Sequence, residues 1–311
     1  MKKLILSIVL GTMVFATSPI GHVKAAAATP VEVLLNTKKM SFPDAKPFQD
    51  SQGSVMVPIR FVSEALGAKV SYSKSGKTTV VGVTNKDHTV KMTVGQTTAL
   101  IDGEKKSYGT KIILKQNRTF VPLRLVSEGL GQKVEWDKIG RWVWIGEKKF
   151  RSTDDKEFKL RPLSDFKEYS KSSYTFKNIK DESYSGIKII KQSDLPIRLA
   201  SGQVVYSIEL VKRKGENFIA IRSTQRGTPI ELLVKNDFAK GRNHIDNAFI
   251  NNGDKTGINY YPEQSSVDKF QNGKYVEDYN YNTFRFNQAD YIKLSTSDLR
   301  DYAVAIVNPF K

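Results

Sequence analysis

Along residues 31–146 the apolar positions switch between two periods. Short runs at 31–35, 39–42, 69–73, 78–84, 98–101, 105–108, 133–137 and 141–146 predict strands. Between them Ile59, Val62 and Leu66, with Phe61 and Ala65, recur at helical spacing, and Leu123, Val126 and Leu130 repeat that stripe. Pro58 and Pro122 suit the first helical position, where the missing N–H is not needed. Gly67 and Gly131 suit the left-handed position that ends a helix. Asp102 and Gly103 form a type I′ hairpin signal.

Beyond residue 160 helical spacing nearly disappears, and only residues 163–169 read as a short helix. Val204, Tyr206, Ile208 and Leu210 alternate. Residues 218–222, 229–234, 291–294 and 302–307 predict further strands separated by Gly and Asn turns. The expected class is α+β. A duplicated N-terminal unit of antiparallel strands packs on a short helix, and a mainly-β half follows as a sandwich or open barrel. The charged stretch 151–159 is the expected boundary, giving units at 26–150 and 151–311.

The duplication is direct. VPIRFVSEALGAKV at 57–70 returns as VPLRLVSEGLGQKV at 121–134, with ten of fourteen positions identical. Each copy reads as hairpin, loop, helix, strand, turn, strand, over about 30–84 and 97–148. Arg60 and Glu64 are four apart, as are Arg124 and Glu128, so each pair can meet across one helical turn. These four residues, with Pro58, Gly67, Pro122 and Gly131, are read as structural. Gly129 replaces Ala65 and is expected to cost the second helix about 1 kcal/mol. Tyr72 corresponds to Trp136, while Trp142 and Trp144 alternate on one strand face. Two readings fit these rings: core packing against the helix, or a platform for sugar faces.

The repeated V-P-[IL]-R-x-V-S-E-x-L-G block, the Lys-Val strand with its aromatic and the strand ending in Gly resemble the copper amine oxidase N-terminal domain family. The resemblance covers about residues 30–148. It implies a stalk module of antiparallel strands on a helix, common on secreted and wall-associated bacterial proteins and separate from the oxidase catalytic part. Copper chemistry is not expected of this chain. An oxidase of that kind needs three histidine ligands and a quinone-forming tyrosine, whereas beyond residue 25 the chain has only His88 and His244 and no cysteine. The segment 278–282 lacks the acidic residue that should follow Asn280 and Tyr281. No cofactor or metal is expected.

Charge and compartment complete the picture. Lys2 and Lys3, an apolar run at 4–16 and small residues to Ala25 read as a signal peptide of residues 1–25, predicting a secreted protein. No later run is long enough to span a bilayer, and the C-terminus shows no wall-sorting signal, so wall contact would be non-covalent. Residues 26–150 hold 20 basic and 11 acidic side chains, net +9; residues 151–311 hold 26 and 21, net +5. Such a surface attracts polyanions in a salt-dependent way. The expected partner is an anionic cell-wall polymer or polysaccharide, or another protein. No groove-reading motif points to nucleic acid.

Eleven of the thirteen tyrosines lie after residue 150, and Tyr260, Tyr261, Tyr275, Tyr279 and Tyr281 are interleaved with Asn, Asp and Lys. Tyrosines among amides mark the expected binding surface. Catalytic patterns are weak: there is no G-x-S-x-G, H-E-x-x-H or cysteine nucleophile, and His244 with Asp246 is a common neighbourhood. The expected function is a non-catalytic surface protein whose stalk presents a β-rich binding domain. The alternatives are a wall-polysaccharide hydrolase with its site in 151–311, or a protein-binding adhesin or inhibitor.

Overall fold

Each helical stripe forms a two-turn helix, α1 (Ile59–Ala65) and α2 (Leu123–Gly129), in a computed structural model that describes residues 30–178, 180–245, 250–253, 255–295 and 301–311. The expected signal peptide lies outside the described residues. Both helices stop in the same way. Gly67 (φ +70°) and Gly131 (φ +77°) take the left-handed conformation. Ala68 and Gln132 then donate back to the carbonyls of Ser63 and Ser127, at 2.8 Å each. That is a Schellman end, satisfying carbonyls the helix leaves open. The prolines sit one position earlier than expected. Pro58 (φ −65°, ψ 115°) and Pro122 (φ −55°, ψ 122°) precede their helices and close the strands Val55–Pro58 and Arg118–Pro122. These strands occupy what sequence read as the end of a polar loop, and their β-branched and aromatic residues explain the difference.

The two strands pair antiparallel, with Val57 opposite Val121, Met56 opposite Pro122 and Pro58 opposite Phe120. In the repeat, Val57 corresponds to Val121 and Met56 to Phe120. Each residue therefore meets the strand of its own counterpart, and a local two-fold axis passes through the Val57–Val121 pair. The hairpins exchange around this axis. Strand Glu32–Leu35, from the first copy, lies parallel to Trp142–Ile145 of the second. The second copy's hairpin, Thr98–Ile101 and Glu104–Ser107, joins the first copy's Lys69–Ser75 and Thr78–Thr84 through the strand Thr89–Thr93. Neither copy is closed on itself. One core holds Val33, Val57, Val62, Val83, Val121, Val126 and Ile145 together.

The remaining chain forms two larger sheets. One has six strands, running from Arg151–Ser152 through Ile197–Arg198, Val204–Arg213, Glu216–Ser223 and Gly257–Pro262 to Ile250–Asn251. The other has eight, from Leu160–Pro162 through Gly186–Ile190, Tyr302–Val307, Tyr291–Leu294, Ile230–Leu233, Lys240–Arg242 and Val267–Gln271 to Lys274–Glu277. Their shared core contains Val205, Ile208, Ile221, Ile230, Leu232, Ile292 and Ile306. The 3-10 segment Leu163–Phe176, of which only 163–169 was expected as a short helix, contributes Phe166, Tyr169 and Phe176 to a second cluster with Leu233, Ala303 and Ala305. The described residues are therefore predominantly β, 44% strand against 13% helix, rather than clearly α+β as expected. The α-helices among the described residues are only seven residues each.

A β-bulge between Val205 and Ser207 breaks the alternation read from sequence. Val205 and Ile208 enter the core, and Leu210 remains exposed. Tyr206 instead joins Trp142, Trp144, Leu34 and Phe150 in a separate aromatic cluster. Its ring centroid lies 6.3 Å from each of Trp142 and Trp144. Beside it the buried Arg222 donates to Asp137 at 2.7 Å and lies 4.8 Å from the Tyr206 ring centroid. The two tryptophans are thus buried, neither against the helix as the packing reading had it nor as an open platform, but beneath Tyr206 and Phe150.

Gly129 has a packing reason. A Cβ there would lie 2.7 Å from Val90 Cγ2 and 3.3 Å from Ile101 Cδ1, on strands that cover α2. Ala65, its counterpart, is exposed. Val90 is stiff at χ1 and cannot swing aside cheaply. Gly129→Ala is therefore expected to lower the urea midpoint: overpacking of about 1–3 kcal/mol outweighs a helix-propensity gain of about 1 kcal/mol. A raised midpoint would contradict this packing.

Candidate functional site

The five tyrosines singled out from sequence do not form one surface. Tyr261 is 1% exposed and donates its hydroxyl to the Thr228 carbonyl at 2.9 Å. Burial pushes that hydroxyl's pKa well up. Tyr275 lies against Gly241, where a Cβ would stand 1.9 Å from its Cε1, and burial raises its pKa as well. Tyr260 is half-buried beneath Arg213, whose guanidinium carbon is 4.0 Å from the ring centroid. Only Tyr279, 87% exposed, and Tyr281 present open rings.

Tyr281 edges a groove of about 460 Å³ that also takes in Asn217, Pro262, Glu263, Gln264 and Arg285. Strand pairing assembles it. Phe218 pairs with Pro262 across Glu216–Ser223 and Gly257–Pro262, so Asn217 and Glu263 meet just beyond, with the Glu263 amide donating to the Asn217 carbonyl at 3.0 Å. The Asn217 side chain donates to Glu263 Oε2 at 2.9 Å, and the Phe286 amide donates to Glu263 Oε1 at 3.1 Å. Gln264 donates to the Asn282 carbonyl at 2.7 Å. Arg285 donates to the carbonyls of Asn282 and Phe284 at 2.8 and 2.7 Å. These bonds fix an amide-and-guanidinium wall beside one tyrosine ring. Sequence reasoning found Tyr281 but missed Asn217 and Glu263, because only strand register brings residues 46 apart together. Arg285, four residues after Tyr281, was open to discovery from spacing alone.

Beneath this region the charged residues are paired. Arg242 and Asp268 are fully buried, 2.6 Å apart. Arg242 also donates to the carbonyls of Gly241, Pro262 and Glu263. Desolvation pushes the Asp268 carboxyl up and the Arg242 guanidinium down, despite their mutual attraction. Asp278 bonds Lys240, and Lys293 bonds Glu231 at 2.9 Å. The second groove beside Tyr275 contains Arg242, Asn243, His244 and Ser265. His244 accepts from Arg226 Nε at 3.0 Å, whereas Asp246, considered with it, lies outside the described residues.

Residues 34–145 match the family model of the copper amine oxidase N-terminal domain. No curated protein matches the chain. Within this copper amine oxidase N-terminal domain, Arg124 and Glu128 approach to 3.5 Å across the helical turn. Arg60 and Glu64 make no ion pair among the described residues, so the expected pairing holds in one copy only. The domain's name raises the question of copper, and the donors do not fit it. His88 bonds Asp102 at 2.8 Å, in the turn region of the first copy's sheet, and His244 bonds Arg226. Among the described residues no three His, Cys, Asp or Glu side chains gather to hold a metal ion.

The tyrosines therefore divide into scaffold and surface. Tyr261→Ala is expected to cost about 3–5 kcal/mol of stability, as loss of a buried ring does. Tyr279→Ala should stay within about 0.5 kcal/mol of the parent. Urea denaturation of both variants checks this, and equal effects would contradict the division.

Proposed function

We propose that the chain is a non-catalytic surface protein that holds an anionic wall polymer, with the N-terminal domain serving as its mount. The observation that carries this reading is the groove at Tyr281. One aromatic ring, the Arg285 guanidinium and the amides of Asn217 and Gln264 face a single shallow channel, alongside the carboxylates of Glu216 and Glu263. An aromatic ring covers the C–H face of a sugar, a guanidinium meets carboxylate or phosphate, and amides bond hydroxyls. The neighbouring buried carboxylates support a binding role over a hydrolytic one. Asp268, Asp278 and Glu231 are each engaged by a cation, and Glu263 by two hydrogen-bond donors. A general acid must also reach its substrate, and Asp268, the one of these carboxyls that burial pushes toward the protonated form, is fully buried in its pair with Arg242.

The net positive charge supports the same reading and sets its salt dependence. The protein is expected to co-sediment with purified Gram-positive-type cell walls at low ionic strength and to be released as salt rises. Tyr281→Ala should weaken retention without changing the thermal midpoint. Retention that ignores both salt and Tyr281 would sink this proposal.

A further inference from the structure

The N-terminal domain carries two open grooves, and the repeat relates them. The first combines Pro58, Arg60 and Tyr72 with Asn117, Arg118 and Thr119. The second combines Pro122, Arg124 and Trp136 with Gln52, Gly53 and Ser54. Moving 64 positions along the chain carries Pro58, Arg60 and Tyr72 onto Pro122, Arg124 and Trp136. The same step carries Gly53 and Ser54 onto Asn117 and Arg118. Each groove is thus built by the helix start and strand of one copy and the hairpin turn of the other. The Val57–Val121 pairing creates both at once.

The chemistry of the two grooves is alike. Each has an exposed flat ring, Tyr72 at 47% and Trp136 at 37% exposure. Each has an exposed arginine one residue into the helix, Arg60 or Arg124. Asn117 and Thr119 line the first groove, and Gln52, Ser54, Ser107 and Tyr108 line the second, so both walls carry amides or hydroxyls. Neither arginine is held in a buried ion pair. Arg60 makes no ion pair among the described residues, and the side chain of Arg124 is 65% exposed beside Glu128. The arginine is identical in both copies, as is most of the block around it, while positions 11 to 15 residues on differ: Ser71 against Glu135, Ser73 against Asp137, Ser75 against Ile139.

We propose that these grooves are two equivalent subsites for one acidic polysaccharide chain, a polymer of uronic-acid type. Tyr72 and Trp136 cover the C–H faces of two pyranose rings. Arg60 and Arg124 receive their carboxylates, and the opposing turns bond their hydroxyls. A site present twice suits a ligand that presents the same group repeatedly, which a sugar polymer does. The net charge of +9 on residues 26–150 matches a polyanion. This binding is separate from the groove at Tyr281, and the N-terminal domain becomes a binding element in its own right.

The test is a calorimetric titration of the full chain with a short oligogalacturonate, read in parallel by tryptophan emission. Trp142 and Trp144 are buried, so Trp136 is the tryptophan whose emission reports on its groove. In the Tyr281→Ala background, which removes the groove of the proposed function, two sites per chain are expected. Arg60→Gln and Arg124→Gln should each leave one site, and the double variant none, with unchanged thermal midpoints. The emission change should survive in Arg60→Gln and vanish in Arg124→Gln. With long polygalacturonate, each single variant should lose about 100-fold or more in affinity, because the second contact is intramolecular. Working in the Tyr281→Ala background separates this result from the fate of the other groove. Absent binding, a stoichiometry unmoved by either arginine, or equal binding of polyglutamate in place of the sugar acid would overturn the proposal.

Discussion

The pairing of Val57 with Val121 is the constraint on which the N-terminal half depends. It joins two equivalent residues across antiparallel strands, so a sequence repeat becomes a two-fold object. Because the axis runs through the strands that lead into both helices, α1 and α2 share one core. Because each hairpin crosses to the other copy's sheet, neither copy buries its apolar face alone. A short helix of seven residues has little stability of its own. Here it is held by the shared strand pair, by a glycine stop and by the partner copy's strands.

The second copy differs from the first where the rest of the chain meets it. Strand pairing sets Trp136 opposite Val143 and Tyr72 opposite Val81, which aligns Trp142 and Trp144 with Val80 and Gly82. The inward residues of both strands, Val143 and Ile145 or Val81 and Val83, belong to the common core. The outward pair is aromatic only in the second copy, where Tyr206 and Phe150 pack on it. Arg222 and Asp137 close the same junction with a buried ion pair. Removing one partner of such a pair costs about 3–5 kcal/mol, since the other is left charged and unsolvated. The bulge at Tyr206 is the local device that turns its ring toward the tryptophans.

What sequence revealed followed from local chemistry. The glycine stops, the Asp102–Gly103 turn (φ +50° and +86°), most strands of the N-terminal half and five of the fourteen described strands after residue 150 were legible, because turn residues and alternation act within a few positions. The strands 48–49, 55–58 and 113–122 were partly lost in apparent loops, since their pairing is long-range. Hairpin exchange was invisible for the same reason: a repeat fixes what each copy contains, not which copy it packs on. Gly129 read as a weakness until Val90 and Ile101 supplied its neighbours. Tyr261 and Tyr279 have similar sequence surroundings, and only the sheet decides that one is core and the other surface.

Function follows the same division between local and long-range information. The arginines at 60 and 124 looked structural because they sit inside a helix-forming block. Their grooves appear only when the opposing turns at Gly53 and Asn117 are brought against them. The most direct measurement of this account is amide hydrogen exchange on the full chain with and without oligogalacturonate. The account predicts added protection at both turns, around Gly53 and around Asn117, to a similar degree. Protection at one turn alone, or confined to residues 215–217 and 281–285, would contradict it.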